Sequence, residues 1–209
     1  MATKHAACGR SAAQTALIGM LGMMLTACGT TSSLKVPPEH DGAAMIDLTP
    51  YTRLLIEDFI DQATAKAKPE VQPVLKPKMD HAMKSFPDQI AAVTREGGGF
   101  NEVVRSGTPD DSTLILRGAI TQLDDGKPML RLMVGFGAGT ANFDARLELI
   151  DGGTSKVLGT WIVDKNSWAL GGGIAAAQRP EDFIQEAARK IGTELSTKRK
   201  QGAVQAPAR

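Results

Sequence analysis

Phe143-Asp144-Ala145-Arg146-Leu147-Glu148-Leu149-Ile150-Asp151 is the clearest alternation in the chain. Phe143, Ala145, Leu147 and Leu149 fall on one side, and Asp144, Arg146 and Glu148 on the other. Side chains of a strand point alternately to opposite faces, so this stretch is a strand with one face buried and the other wet. The pattern recurs upstream, where Leu114, Leu116, Gly118, Ile120 and Gln122 interleave with Ile115, Arg117, Ala119 and Thr121, and downstream in Val157, Gly159, Trp161 and Val163. Asp151-Gly152-Gly153-Thr154-Ser155 is turn chemistry between two of these strands, and Asp124-Asp125-Gly126-Lys127-Pro128 reads as a hairpin connection into a further strand over Met129 to Val134. A meander of paired strands follows, which makes the sheet mostly antiparallel.

Working outward, the residues before and after the sheet carry helical spacing. Met79 and Met83 are four apart, as are Phe86 and Ile90, with Val93 three further on. Pro73, Pro77 and Pro87 punctuate this region, so Pro87 reads as a fresh helical start and Gly97 as its end. At the other end Pro180 opens a helix with Glu181 and Asp182 in its first turn, where the macrodipole favours acids. Its apolar face is Phe183, Ile184, Ala187, Ala188, Ile191 and Leu195, and Lys198-Arg199-Lys200 finish it. Tyr51 to Phe59 reads as a first strand, with a helix over Arg53 to Ala67 as its competitor; Phe100 to Val104 is a short strand entered through three glycines. The expected fold is α+β, a mostly antiparallel sheet of about five strands packed against two or three helices.

The first 27 residues are of another kind. Lys4 and Arg10 precede an apolar run from Ala12 to Leu25, which is interrupted by Gln14, Thr15, Gly19 and Gly22. That run is too short for a membrane span, which needs about 20 mostly apolar residues; a cationic start, a short hydrophobic centre and small residues at the cut make a secretory signal. Leu25-Thr26-Ala27-Cys28 resembles the bacterial lipobox. The resemblance implies cleavage between Ala27 and Cys28, with diacylglycerol on the Cys28 sulfur and an acyl chain such as palmitate on its amine. Gly29 stands where an Asp favours retention in the inner membrane, which implies the outer membrane, on its periplasmic side. Gly29 to Pro50 has Thr30, Thr31, Ser32, Ser33, Pro37 and Pro38, few apolar residues and no period, and reads as a flexible tether. The division is therefore a signal peptide over 1–27, anchor and tether over 28–50, an α+β domain over 51–197 and a loose tail over 198–209.

Removing the signal leaves 182 of 209 residues, enough for one ordinary domain. The 24 basic residues less Lys4 and Arg10, against 23 acidic ones, give a formal charge of −1. Nucleic-acid binders normally carry a strongly basic footprint, so nucleic acid is not an expected partner. Cys8 leaves with the signal and Cys28 is consumed by lipid, so apolar burial alone must hold the mature fold.

Gly135-Phe136-Gly137-Ala138-Gly139, the Phe143–Asp151 strand and Lys156-Val157-Leu158 together resemble the uncharacterised bacterial lipoprotein family catalogued as domain of unknown function 4410. The likeness covers about Tyr51 to Leu195. Thr154-Ser155 stands where the family has Thr-Gly, which touches only the turn type. The order of elements is also similar to the N-terminal domains of TolB and of the curli secretion lipoprotein. That likeness is one of fold, and fold does not carry function.

Catalytic chemistry has little to draw on. Gly135-x-Gly137-x-Gly139 begins like a dinucleotide fingerprint, but strand residues follow where that fingerprint needs a helix. His40 and His81 are the histidines of the mature chain, and no Gly-x-Ser-x-Gly elbow accompanies them. Asp110-Asp111 and Asp124-Asp125 sit in turns. No catalytic residue, metal ligand or cofactor is expected. The stretch suited to a partner is Trp168-Ala169-Leu170-Gly171-Gly172-Gly173-Ile174, whose Trp168, Leu170 and Ile174 are apolar without helical period. The expectation is a lipid-anchored envelope module that binds or assembles and is not an enzyme. The alternative is a small-ligand or lipid carrier with an apolar pocket between sheet and helices.

Overall fold

The structure, a computed structural model, describes residues 30–37, 46–126, 140–166 and 178–205. Its strands are β1 (Thr30–Thr31), β2 (Arg53–Ile56), β3 (Ile60–Asp61), β4 (Glu102–Val104), β5 (Thr113–Asp124), β6 (Asn142–Asp151) and β7 (Val157–Asn166). Among the described residues its helices are α1 (Gln72–Gly97) and α2 (Pro180–Gln205), with one 3₁₀ turn at Thr64–Lys66. The fold is α+β, as the alternation and the stripes require. The sheet, however, is mixed, and among the described residues it has seven strands in the order β1-β7-β6-β5-β2-β4, with β3 also on β5. β5–β6 and β6–β7 are the antiparallel pairs read from the alternation. β2 lies parallel to both β4 and β5, and β3 parallel to β5. The reason is α1: a helix between β2 and β4 carries the chain back to the starting end, so the next strand must enter parallel. The strand expected over Met129 to Val134 and the glycines of 135–139 lie outside the described residues.

One face of the sheet is dry. Phe143, Ala145, Leu147 and Leu149 of β6 meet Leu114, Leu116 and Ile120 of β5 and Trp161 and Val163 of β7, all buried under the two helices. Phe59, Phe86 and Phe143 make a chain of edge-to-face contacts at 5.4 and 5.2 Å between ring centres, which aligns ring edges with ring faces. Gly118 makes room for it, since a Cβ there would lie 2.8 Å from the Phe59 ring. The opposite face is wet in its middle, with Arg117 paired to Glu57 at 2.7 Å, and has a small apolar cluster of Leu55, Ile115 and Ile150 at one end.

α1 does not restart at Pro87. It is one helix with Pro77 and Pro87 inside it. A proline inside a helix costs about 3 kcal/mol. Here Met79, Ala82, Phe86, Ile90 and Ala91 are buried on both sides of Pro87, so breaking the helix would expose more than the lost hydrogen bond returns. α2 follows its stripe, with Phe183, Ile184, Ala187, Ala188, Ile191 and Leu195 buried. The helices touch closely where Gly192 faces Val93 and where the Ser196 hydroxyl donates to the Thr94 carbonyl at 3.2 Å.

Two boundaries move. Residues 198–205, expected as the start of a loose tail, continue α2, and Gly202 packs against Thr49. Thr30–Pro37 is not a tether. Thr30 and Thr31 pair with Asp164 and Val163 of β7, the Ser32 amide donates to the Ile162 carbonyl at 2.8 Å, and Lys35 exchanges backbone bonds with Thr160. Leu34 packs on the core and Leu48 is fully buried. A few apolar side chains and a ladder of backbone bonds order a segment whose composition is otherwise that of a linker.

Candidate functional site

Leu25, Thr26, Ala27 and Cys28 lie outside the described residues, as do Trp168, Leu170 and Ile174. The structure does place the residues that flank them. β1 runs antiparallel to β7 with Thr30 opposite Asp164. The chain therefore runs back from Thr30 toward Cys28 at the same end of the same sheet edge where it runs on from Asn166 toward Trp168.

That edge is fastened by one carboxylate. Glu194 of α2 accepts from the Leu34 amide at 3.1 Å and from the Trp161 indole N–H at 2.9 Å, so the N-terminal segment, β7 and α2 meet on it. The Trp161 side chain is fully buried, and its N–H needs an acceptor there. Lys190, one turn earlier, donates to the Thr31 carbonyl. Glu194 interrupts an apolar stripe between Ile191 and Leu195, which marks a polar group turned toward a neighbour; its partners, Leu34 at 160 residues and Trp161 at 33, had no local signal.

On the wet face of the same edge Asp144 and Asp164 stand directly opposite each other in the β6–β7 register. Burial, then the Asp164 charge, push the Asp144 carboxyl up to about 6, against a lowering hydrogen bond from the Lys165 amide. Ile162, two residues along, is an exposed large apolar side chain.

The turn carboxylates are structural. Asp110 accepts from the Ser112 amide and from the Ser112 and Thr113 hydroxyls, bonds that hold its carboxyl below the usual carboxylate range, the one from Thr113 most of all. Asp125 pairs with Lys78. At the start of β6's closing turn, Tyr51 donates to Asp151 at 2.5 Å; burial first and that bond second push the phenol well above its ordinary value. His81 is exposed and lines a cleft of about 280 Å³ with Lys78, Ala82, Asp125, Pro180 and Glu181. A second, open hollow of about 560 Å³ lies along α2 beside Ser33, with Glu186, Arg189, Lys190 and Glu194 in its walls. β6 begins at Asn142, so a strand follows Gly139 where a dinucleotide site needs a helix. Among the described residues, no group of three or more His, Cys, Asp and Glu could hold a metal ion, and no helix is long and apolar enough to cross a membrane.

Among the described residues, two helices on one face of a mixed sheet, with the N-terminal segment sewn to its edge, define an α+β domain whose features of interest are surfaces. The family described as domain of unknown function (DUF4410) matches residues 54–171, and the chain belongs to it. No curated protein matches the chain. Among solved structures it is similar to the PelC dodecamer from Paraburkholderia phytofirmans, at 13% identity over 80% of this chain and 97% of that one, with a TM-score of 0.47. It is also similar to protein XCC0632 from Xanthomonas campestris, at 13% identity over 73% and 88%, with a TM-score of 0.44. Both are too remote to carry a function across.

Proposed function

We propose that the mature protein is an outer-membrane lipoprotein facing the periplasm, held by lipid on Cys28, and that its domain is a binding or assembly module without catalysis. The observation that carries this reading is Leu25-Thr26-Ala27-Cys28 at the end of a short apolar run, followed after one residue by the first strand of the domain. Several acyl chains anchor a protein stably where one does so only marginally. An assembly role is favoured over a carrier by the packing between sheet and helices, where Trp161, Phe86, Phe143 and Phe183 are fully buried. The hollow along α2 is open and lined mostly by charged and polar side chains, and the cleft beside His81 is small, at about 280 Å³, whereas a lipid or drug-like ligand is held by larger, enclosed apolar walls. Trp168, Leu170 and Ile174, which follow β7 directly, are the proposed contacts for a protein partner in the envelope.

Fractionation of cells tests the anchor. Wild-type protein should pellet with outer membrane, and Cys28→Ser should appear in the soluble periplasm; a Cys28→Ser chain that stays in the membrane sinks the reading. Crosslinking in intact cells, with Trp168→Ala as the control, then tests the partner: the variant should lose the crosslinked species while keeping its melting temperature.

A further inference from the structure

The order of residues 30–35 has a consequence for how the domain sits on its membrane. Between Cys28 and Thr30 there is one residue, and each residue of a fully extended chain spans at most about 3.6 Å. The Thr30 backbone is therefore within about 7 Å of the Cys28 backbone whatever conformation Gly29 takes. Thr30 is not the start of a linker. It is a strand residue, and Thr31, Ser32, Leu34 and Lys35 after it are held by β7 backbone bonds, by Glu194 and by Lys190. A lipid on Cys28 consequently holds the β1–β7 edge at the headgroup layer.

We propose that this edge, with the adjoining surface of α2, is a membrane-contact surface that rests on zwitterionic phospholipid headgroups, and that the β4 edge faces away from the bilayer. The proposal rests on lipidation of Cys28. The chemistry at the edge is of both signs, as a zwitterionic headgroup requires. Arg189 is exposed on α2 beside Ser33, in the open hollow next to β1, where it suits phosphate oxygens, and Lys190 beside it, whose ammonium donates to the Thr31 carbonyl, adds positive charge. Asp164, exposed and opposite Thr30, with Asp144 beside it, suits an ammonium. Ile162 supplies an exposed apolar side chain at 45% of its full area, on the strand that β1 covers. β4 lies five strand positions from β1, about 24 Å at the usual strand spacing, so with the β1–β7 edge resting on the headgroups the β4 edge stands that far from them.

The test uses the full lipidated protein in vesicles of phosphatidylethanolamine and phosphatidylglycerol that carry a nitroxide on a fraction of the lipid. The natural sequence has Cys8 in the signal and Cys28 under lipid, so an introduced cysteine is the one thiol available for a fluorophore. Ile162→Cys reports the near edge and Glu102→Cys the far one; both replace exposed side chains. Intact mass and vesicle flotation are read first. A chain that lacks lipid on Cys28 overturns the anchor reading and this proposal with it. With lipid present, several-fold stronger quenching at 162 than at 102 is expected, and equal quenching overturns the proposal alone. Inserting about 20 Gly and Ser residues after Cys28, a coil of roughly 25 Å, should erase the contrast without releasing the protein. A contrast that survives the insertion overturns the claim that the short connection sets the orientation.

Discussion

The two edges of the sheet are closed by different physics. At the β7 edge the cover is a segment more than 120 residues distant in sequence, held by backbone pairing from Thr31 to Lys35 and by Glu194, whose carboxylate also takes the buried Trp161 N–H. At the β4 edge the cover is a set of arginines. Arg53 pairs with Glu102 at 3.0 Å, Arg95 donates to the Val103 carbonyl, and Arg105 reaches the Ile56 and Glu57 carbonyls and the carboxylates of Asp58 and Asp88. Glu194 is part-buried, with Lys198 3.7 Å away, so its hydrogen bonds are costly to remove and weakly screened, whereas exposed ion pairs contribute little each and are strongly screened. The edge that follows Cys28 in the sequence is thus the one whose cover depends least on screened ion pairs.

Breaking the β7 edge should have the larger effect. Glu194→Ala leaves the Trp161 N–H and the Leu34 amide without their acceptor, at about 2 kcal/mol. A melting temperature lower by roughly 4–8 °C, little changed by added salt, is the expected result for a domain of this size. Arg105→Ala at the opposite edge removes bonds to two carbonyls and two exposed carboxylates, at about 1 kcal/mol. Because the two carboxylate bonds are screened, the wild-type advantage over Arg105→Ala should shrink in high salt. A salt-sensitive Glu194→Ala and a salt-insensitive Arg105→Ala would reverse the comparison.

The smallest effect concerns pH at the β7 edge. Asp144 titrates higher in the folded chain, at about 6, than its ordinary 3.8, so the folded state holds its proton more tightly than the unfolded state does. Stability from this group is therefore present below about pH 4 and is lost as pH rises through about 6. The side chain is only part-buried, and solvent screening brings the loss to the order of 1 kcal/mol. Asp144→Asn should be slightly more stable than wild type at pH 7 and equal to it at pH 4, measured by urea unfolding. A parallel offset at both values would mean that the carboxylate does not titrate in this range.

What the sequence disclosed follows the same division. β5, β6, β7 and the apolar face of α2 are legible because each repeats its period over ten or more residues. β2 is legible as a strand but not as a parallel one, since Arg53–Ile56 reads alike beside either kind of neighbour. α1 was obscured by prolines whose local cost is outweighed by the stripe beneath them, a balance that only the packed sheet decides. β1 left the weakest trace, because Thr30-Thr31-Ser32-Ser33 has linker composition and its partner strand lies more than 120 residues on. Asp144 and Asp164 could be placed on outward positions of their strands, but their pairing depends on a register that includes the bulge between Leu149 and Ile150.

The measurement closest to the central claim is hydrogen exchange at the backbone amides of Ser32, Leu34 and Lys35 in the full lipidated protein. These amides donate to the Ile162 carbonyl, to Glu194 and to the Thr160 carbonyl. If the anchor is joined directly to the sheet, they should be protected to nearly the same degree as the amides of β7, and Glu194→Ala should strip that protection first. Exchange at the rate of an unstructured peptide, with β7 still protected, would mean that the segment after Cys28 is a tether and that no edge of the sheet is fixed at the membrane.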